Sequence, residues 1–159
     1  MMTSGQRFAC MLTTVLALGL ADPTMAATGH SHEGQGGPIE LSLNHGSKWQ
    51  TDEALRDGMA AARLAMADAL DRIHDGHYGP DEYAALARTL EANVDDIVRN
   101  CRLPEEADAQ LHIVLAAILD GIEAMRTGPD RVGGAVTIVS ALDAYGSHFD
   151  HLGFEPFQR

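Results

Sequence analysis

An all-α fold, an up-down-up-down antiparallel four-helix bundle, is what this sequence predicts. Three observations carry that reading. Apolar residues recur at spacings of three and four through four stretches of about twenty residues. Gly- and Pro-bearing breaks of three to six residues separate those stretches. Outside them, only a brief extended patch at Ile39, Leu41 and Leu43 suggests any strand. Short connections between long amphipathic helices favour antiparallel neighbours.

The first helix has two start signals, Ser47 with Gln50 three residues on, and Thr51 followed by acids. It extends to about Asp75, with Leu55, Met59, Ala62, Met66, Leu70 and Ile73 on its inner face. Gly76-His77-Tyr78-Gly79-Pro80 breaks it. A second helix, from about Asp81 to Cys101, turns Tyr83, Leu86, Leu90, Val94, Ile97 and Cys101 inward. Proline fits a helix only in its first turn, so Pro104 marks the restart. Glu105, Glu106 and Asp108 suit the positive end of the third helix, which buries Leu111, Leu115, Ile118, Ile122 and Met125. Thr127-Gly128-Pro129 ends it. The fourth helix, weakened at its start by Gly133-Gly134, carries Ala135, Ile138, Leu142, Tyr145 and Phe149 inward.

The N-terminus has the features of a secretory leader. Arg7 is its basic flank, Phe8 to Leu20 its apolar run, and small residues precede a cut after Ala26 or Ala27. The expected organisation is therefore a signal peptide over 1–26, a disordered His- and Gly-rich tail over 27–46, and the bundle over 47–155. No later run approaches the roughly 18 apolar residues of a membrane span, so the mature chain is expected to be soluble and periplasmic. A cut after Ala27 would make His30 the third residue, where the terminal amine, two amides and an imidazole could wrap Cu(II) in a square plane.

With 45% hydrophobic residues, the chain is rich enough to build a core, and a net charge of −12 disfavours nucleic acid and anionic membranes as partners. Cys10 belongs to the leader, which leaves Cys101 with no internal disulfide partner. A lone thiol in an oxidising compartment is buried, linked to a second copy in a homodimer, or bound to metal. Enzyme chemistry finds little support. The sequence lacks a Ser-His-Asp arrangement with a nucleophile turn, a Gly-rich phosphate loop and the Glu-x-x-His pair of di-iron bundles.

Antiparallel reversal sends the start of helix one, the end of helix two, the start of helix three and the end of helix four to one pole. His45, Met59, Cys101, His112, His148 and His151 all lie toward it. Side chains lean toward the N-terminus of their own helix, so donors on helices one and three tilt up to the pole while those on two and four tilt away from it. Met59, Cys101, His112 and His148 are thus expected to converge. A thiolate, a thioether and imidazoles suit copper, with the sulfur donors favouring Cu(I). The expected function is non-enzymatic copper storage, delivery or electron transfer with a periplasmic redox or metal-delivery partner.

Leu55-Arg56-Asp57-Gly58-Met59 and Asp143-Ala144-Tyr145-Gly146-Ser147-His148 resemble the ligand segments of the cytochrome b562 family, small periplasmic four-helix bundles. That resemblance implies a b-type haem electron carrier with Met59 and His148 as axial ligands. No Cys-x-x-Cys-His is present, so covalent haem is excluded. Asn100-Cys101-Arg102-Leu103-Pro104, followed by Ala107-Asp108-Ala109-Gln110-Leu111-His112, is also similar to a segment of uncharacterised exported bundle proteins.

Overall fold

The structure, a computed structural model, describes residues 39–157. The leader and the tail histidines His30 and His32 lie outside the described residues. Four helices follow one another: α1 Glu53–His74, α2 Pro80–Asn100, α3 Glu105–Thr127 and α4 Arg131–His148. They form the antiparallel bundle, with α1 against α2, α2 against α3 and α3 most extensively against α4, while α1 and α4 meet along a sparser seam. None of these helices is long and apolar enough to cross a membrane.

Each helix begins where a side chain or a missing donor solves the end problem. Asp52 caps α1, its Oδ1 accepting from Leu55 N at 2.8 Å. Ser47 is not the start. Asn44 and Ser47 instead exchange backbone hydrogen bonds across His45 and Gly46, both at positive φ, in a tight reversal. Gly79 caps α2, Pro80 occupies its first turn, and Glu82 Oε2 accepts from Gly79 N at 2.8 Å. Arg72 ties this corner together, paired with Glu82 at 2.6 Å and lying over the Tyr78 ring. Pro104 is the N-cap of α3 and not its first helical residue. Asp130 Oδ1 accepts from Gly133 N at 2.8 Å, so α4 starts ahead of its glycine pair.

The core comprises the expected stripes with local adjustments. Leu55, Met59, Ala62, Met66 and Ile73 are buried on α1, but Ala69 turns fully inward where Leu70 was expected, and Leu70 is half-buried. Phe149 is fully buried as the C-cap of α4, where its ring stacks on Tyr145 at 5.0 Å. Gly121 and Gly134 explain the close packing of α3 on α4. A Cβ on Gly121 would lie 2.7 Å from the Gly134 carbonyl oxygen, and one on Gly134 would lie 2.7 Å from that of Gly121.

The C-terminal segment fills the pole end of the α1–α4 seam. Phe154 packs on Gly146 and edge-on against Tyr145, with centroids 4.9 Å apart. Arg63 of α1 lies over Phe157 and donates from Nε to the Glu155 carbonyl, while Phe157 N donates to Asp143 of α4.

Gly121→Ala and Gly134→Ala should each lower stability by about 1–3 kcal/mol, because the facing backbone, joined at Gly121 by the buried Ile138 side chain, blocks the new methyl. Chemical denaturation of each variant measures this. A larger loss than at the open, exposed Ala116→Ser control is the expected result.

Candidate functional site

The pole where α1 begins is closed by both flanks of the bundle. Trp49 N donates to His148 O and Asp150 N to Trp49 O, each at 2.8 Å, so the residues before α1 run alongside those after α4. Thr51 Oγ1 adds a bond to Asp150 O at 2.6 Å, and Lys48 Nζ one to Gly146 O at 2.7 Å. Trp49 Nε1 donates to Ser42 O, whose own N–H reaches Gln110 of α3. The single tryptophan is therefore a rivet through the pole.

At its centre stands Asp52. One carboxylate oxygen caps α1 and the other accepts from Arg102 N at 2.5 Å, across the α2–α3 turn. The Cys101 thiol also hydrogen-bonds to this carboxylate. Burial pushes the Asp52 carboxyl up, but the N–H groups of Arg102 and Leu55, the thiol and the Arg56 guanidinium together hold it below the ordinary carboxylate value. Cys101 pays the opposite way. Burial first, then the charge and hydrogen bond of Asp52 and the charge of Asp108, push its thiol up to about 12, against the opposing pull of Arg102. At neutral pH it is a half-buried, protonated hydrogen-bond donor, not a reactive thiolate.

Tyr145 stands behind this pair. It is fully buried, and burial together with nearby Cys101 and Asp52 raises its pKa, with Arg56 opposing. Its hydroxyl lies 3.0 Å from His151 Nδ1. Burial and then Arg56 lower the pKa of His151, which Asp57 partly offsets.

The six expected donors are distributed unevenly around this pole. Cys101 and His151 lie in the Asp52–Tyr145 cluster, and the His148 backbone joins the flank pairing. Met59 is in the apolar core with no exposed surface, because its register places it on the centre of the α1 stripe. His112 follows Leu111 by one helical step of about 100°, which turns its side chain outward and leaves it 71% exposed. His45 is exposed at the tip of its turn. Among the described residues no three His, Cys, Asp or Glu side chains stand close enough together to hold a metal ion.

The two helical histidines toward this pole, His112 and His148, each have a defined tautomer. Nδ1 lies 2.9 Å from the Asp108 carbonyl in His112 and 2.9 Å from the Ala144 carbonyl in His148. A carbonyl can only accept, so Nδ1 carries the proton in each neutral ring and Nε2 keeps its lone pair. Metal-ligating histidines are oriented in the same way, through a hydrogen bond from the second nitrogen.

Asp52, Trp49, Arg56 and Tyr145 were not singled out as site residues from the sequence. A signal existed for two of them: Asp52 is a preferred N-cap type immediately before an acidic first turn, and the lone Trp49 lies in an otherwise polar stretch. Fold and pole together define a class, a four-helix bundle with a protonated, carboxylate-held thiol at the end closed by its own flanking segments. Comparison with protein-family models, curated proteins and solved structures gives no match to this chain.

Asp52→Asn should destabilise the bundle at neutral pH and make Cys101 react several-fold faster with a neutral alkylating reagent at pH 8, since removing the charge lets the thiol ionise more easily. The folded pKa of Asp52 is depressed, so its contribution is present above the unfolded value and is lost as pH falls through the folded one. The gap between wild type and Asp52→Asn in denaturant midpoint should therefore narrow below about pH 4. A gap that stayed constant into stronger acid would contradict this role.

Proposed function

We propose that the chain is a non-enzymatic periplasmic metal-binding bundle that takes up copper as Cu(I) at this pole, with Cys101 as the anchoring donor. The observation that carries the reading is the half-buried sulfur at a pole whose two helical histidines, His112 and His148, each keep an Nε2 lone pair fixed by a backbone hydrogen bond. Sulfur with imidazole is a donor set suited to Cu(I), and an acidic protein, at net charge −12, favours the approach of a cation.

In this reading the apo protein is a closed form. Capture requires the thiol to give up the proton it shares with Asp52, and His112 to swing in from solvent. Met59, enclosed in the core, joins only if α1 shifts. Because binding expels a proton, apparent affinity for Cu(I) rises with pH through the neutral range. Storage, delivery to a periplasmic partner and electron transfer are all compatible with one such ion.

The haem alternative, with Met59 and His148 as axial ligands, asks more of the same structure. Met59 is packed wholly among apolar side chains, so a porphyrin could reach its sulfur only after the helices part.

Metal analysis and absorption spectroscopy of protein isolated from the periplasm test the proposal directly. Copper in the isolated protein is expected, with no Soret band. Titration against a colorimetric Cu(I) chelator should show Cys101→Ser binding at least about tenfold more weakly, with helicity unchanged. Equal uptake by wild type and Cys101→Ser would refute the proposal, and a Soret band would replace it with the haem reading.

A further inference from the structure

Met59, Met66 and Met125 are all without exposed surface, but they are not enclosed in the same way. Met59 lies about 40° around α1 from Arg63 and about 100° from Gly58, which packs closely on Ile97 of α2, so it belongs to the side of α1 that meets α4. There the two helices touch sparsely. A helical side chain covers the turn N-terminal to its own Cα, so Arg63, and the strap of residues 152–157 that rests on it, lie over the turn that begins at Met59. Met66 is about 10 Å farther along α1, and Met125 is near the end of α3 at the opposite pole.

Few bonds hold the strap. Its Glu155 carbonyl accepts from Arg63 Nε, Phe157 N donates to Asp143 Oδ1 at 2.9 Å, and Phe154 N donates to the His151 carbonyl at 3.1 Å. The Arg63 guanidinium lies 5.9 Å from the Phe154 ring centroid and 4.9 Å from that of Phe157. Both rings are half-buried, while Glu155 and Pro156 are exposed. A cleft of about 460 Å³ is lined jointly by the stretch 152–156 and by Gly146 and Ser147 of α4, so the strap is not close-packed on the helix along its whole length. At its base Leu152 is 98% exposed and Gly153 is at φ +81°, with nothing within 4 Å of a Cβ there. Exposed residues with few neighbours, at a backbone conformation that favours glycine, make a hinge.

We infer that residues 152–157 are a lid on Met59. The strap swings out about Leu152 and Gly153 as a local unit, and with that clasp gone the Met59 turn of α1 draws back from α4 and exposes the thioether. Local opening of this kind leaves the rest of the bundle folded. Under the copper proposal, on which this consequence alone rests, opening of the lid is what admits Met59 to the donor set.

Hydrogen peroxide tests the lid without metal. It transfers one oxygen atom to an exposed thioether, giving the sulfoxide and water. Protein expressed from the full-length sequence is treated under native conditions, and sulfoxide at each methionine is followed by peptide mass spectrometry. Arg63→Ala and Phe157→Ala should each raise the rate at Met59 at least about tenfold, with Met66 and Met125 near their wild-type rates and the circular dichroism spectrum unchanged. Gly121→Ala, which loosens α3 from α4 and leaves the strap intact, should not single out Met59. Equal rates at the three methionines in both strap variants overturn the inference, whether all stay slow or all accelerate together. Selective oxidation of Met59 in Gly121→Ala overturns it too. Because the readout contains no metal, a failure of copper binding leaves the lid standing, and a failure of the lid leaves copper to be decided by the Cys101→Ser titration.

Discussion

Three groups from two separate parts of the chain, the first turn of α1 and the α2–α3 turn, converge on the Asp52 carboxylate. It caps α1, anchors the α2–α3 turn through Arg102 N, and accepts from the Cys101 thiol. Helix ends carry unmet backbone donors, and a turn packed against another helix must satisfy its own N–H groups or lose their hydration. One side chain meets both needs here. The pole is thus a consequence of end-satisfaction, and the thiol's chemistry follows from it. The same negative charge that secures the turn keeps the sulfur protonated, so structural economy and thiol reactivity are opposed at one residue.

Around this centre the two flanks of the bundle are woven together and not left as loose ends. Trp49, in the segment before α1, pairs its backbone with that of His148 and Asp150 at the end of α4, and Tyr145, Phe149, His151 and Phe154 pack on one another at the same pole. Arg63 and Asp143 grip the last aromatic residues from opposite sides of the seam where α1 and α4 meet sparsely. Four helices alone would leave that seam open at this end. A strap of aromatic side chains supplies the missing packing, and Gly146 supplies the room for it. The proposed uptake of Cu(I) has to work against this closed arrangement, since the donors nearest the pole are already held by hydrogen bonds.

Much of the fold was legible because helical periodicity is a local property. The stripe on α2, from Tyr83 through Ile97, and that on α3, from Leu111 through Met125, coincide with the buried residues. The differences fall where a competing hydrogen bond or the packing of the interior outranked a local pattern. Ser47 matched a helix start but is paired with Asn44, and Asp52 took over because its carboxylate also had Arg102 N to satisfy. Leu70 satisfied the spacing rule, yet the interior at that level accommodates Ala69.

What the sequence by itself determined was the number of helices, their inner faces and the end of the bundle to which sulfur and imidazole travel, since periodicity, breakers and chain reversal suffice for all three. Only the tertiary structure decided which donors meet. One helical step of about 100° turns His112 into solvent, while the central register of Met59 encloses it. Proximity along a helix axis is set by chain length, but convergence of side chains depends on rotation about that axis and on the partners each group finds there. Those partners, Asp52 for Cys101 and Tyr145 for His151, lie 49 and 6 residues away, beyond what local spacing can specify.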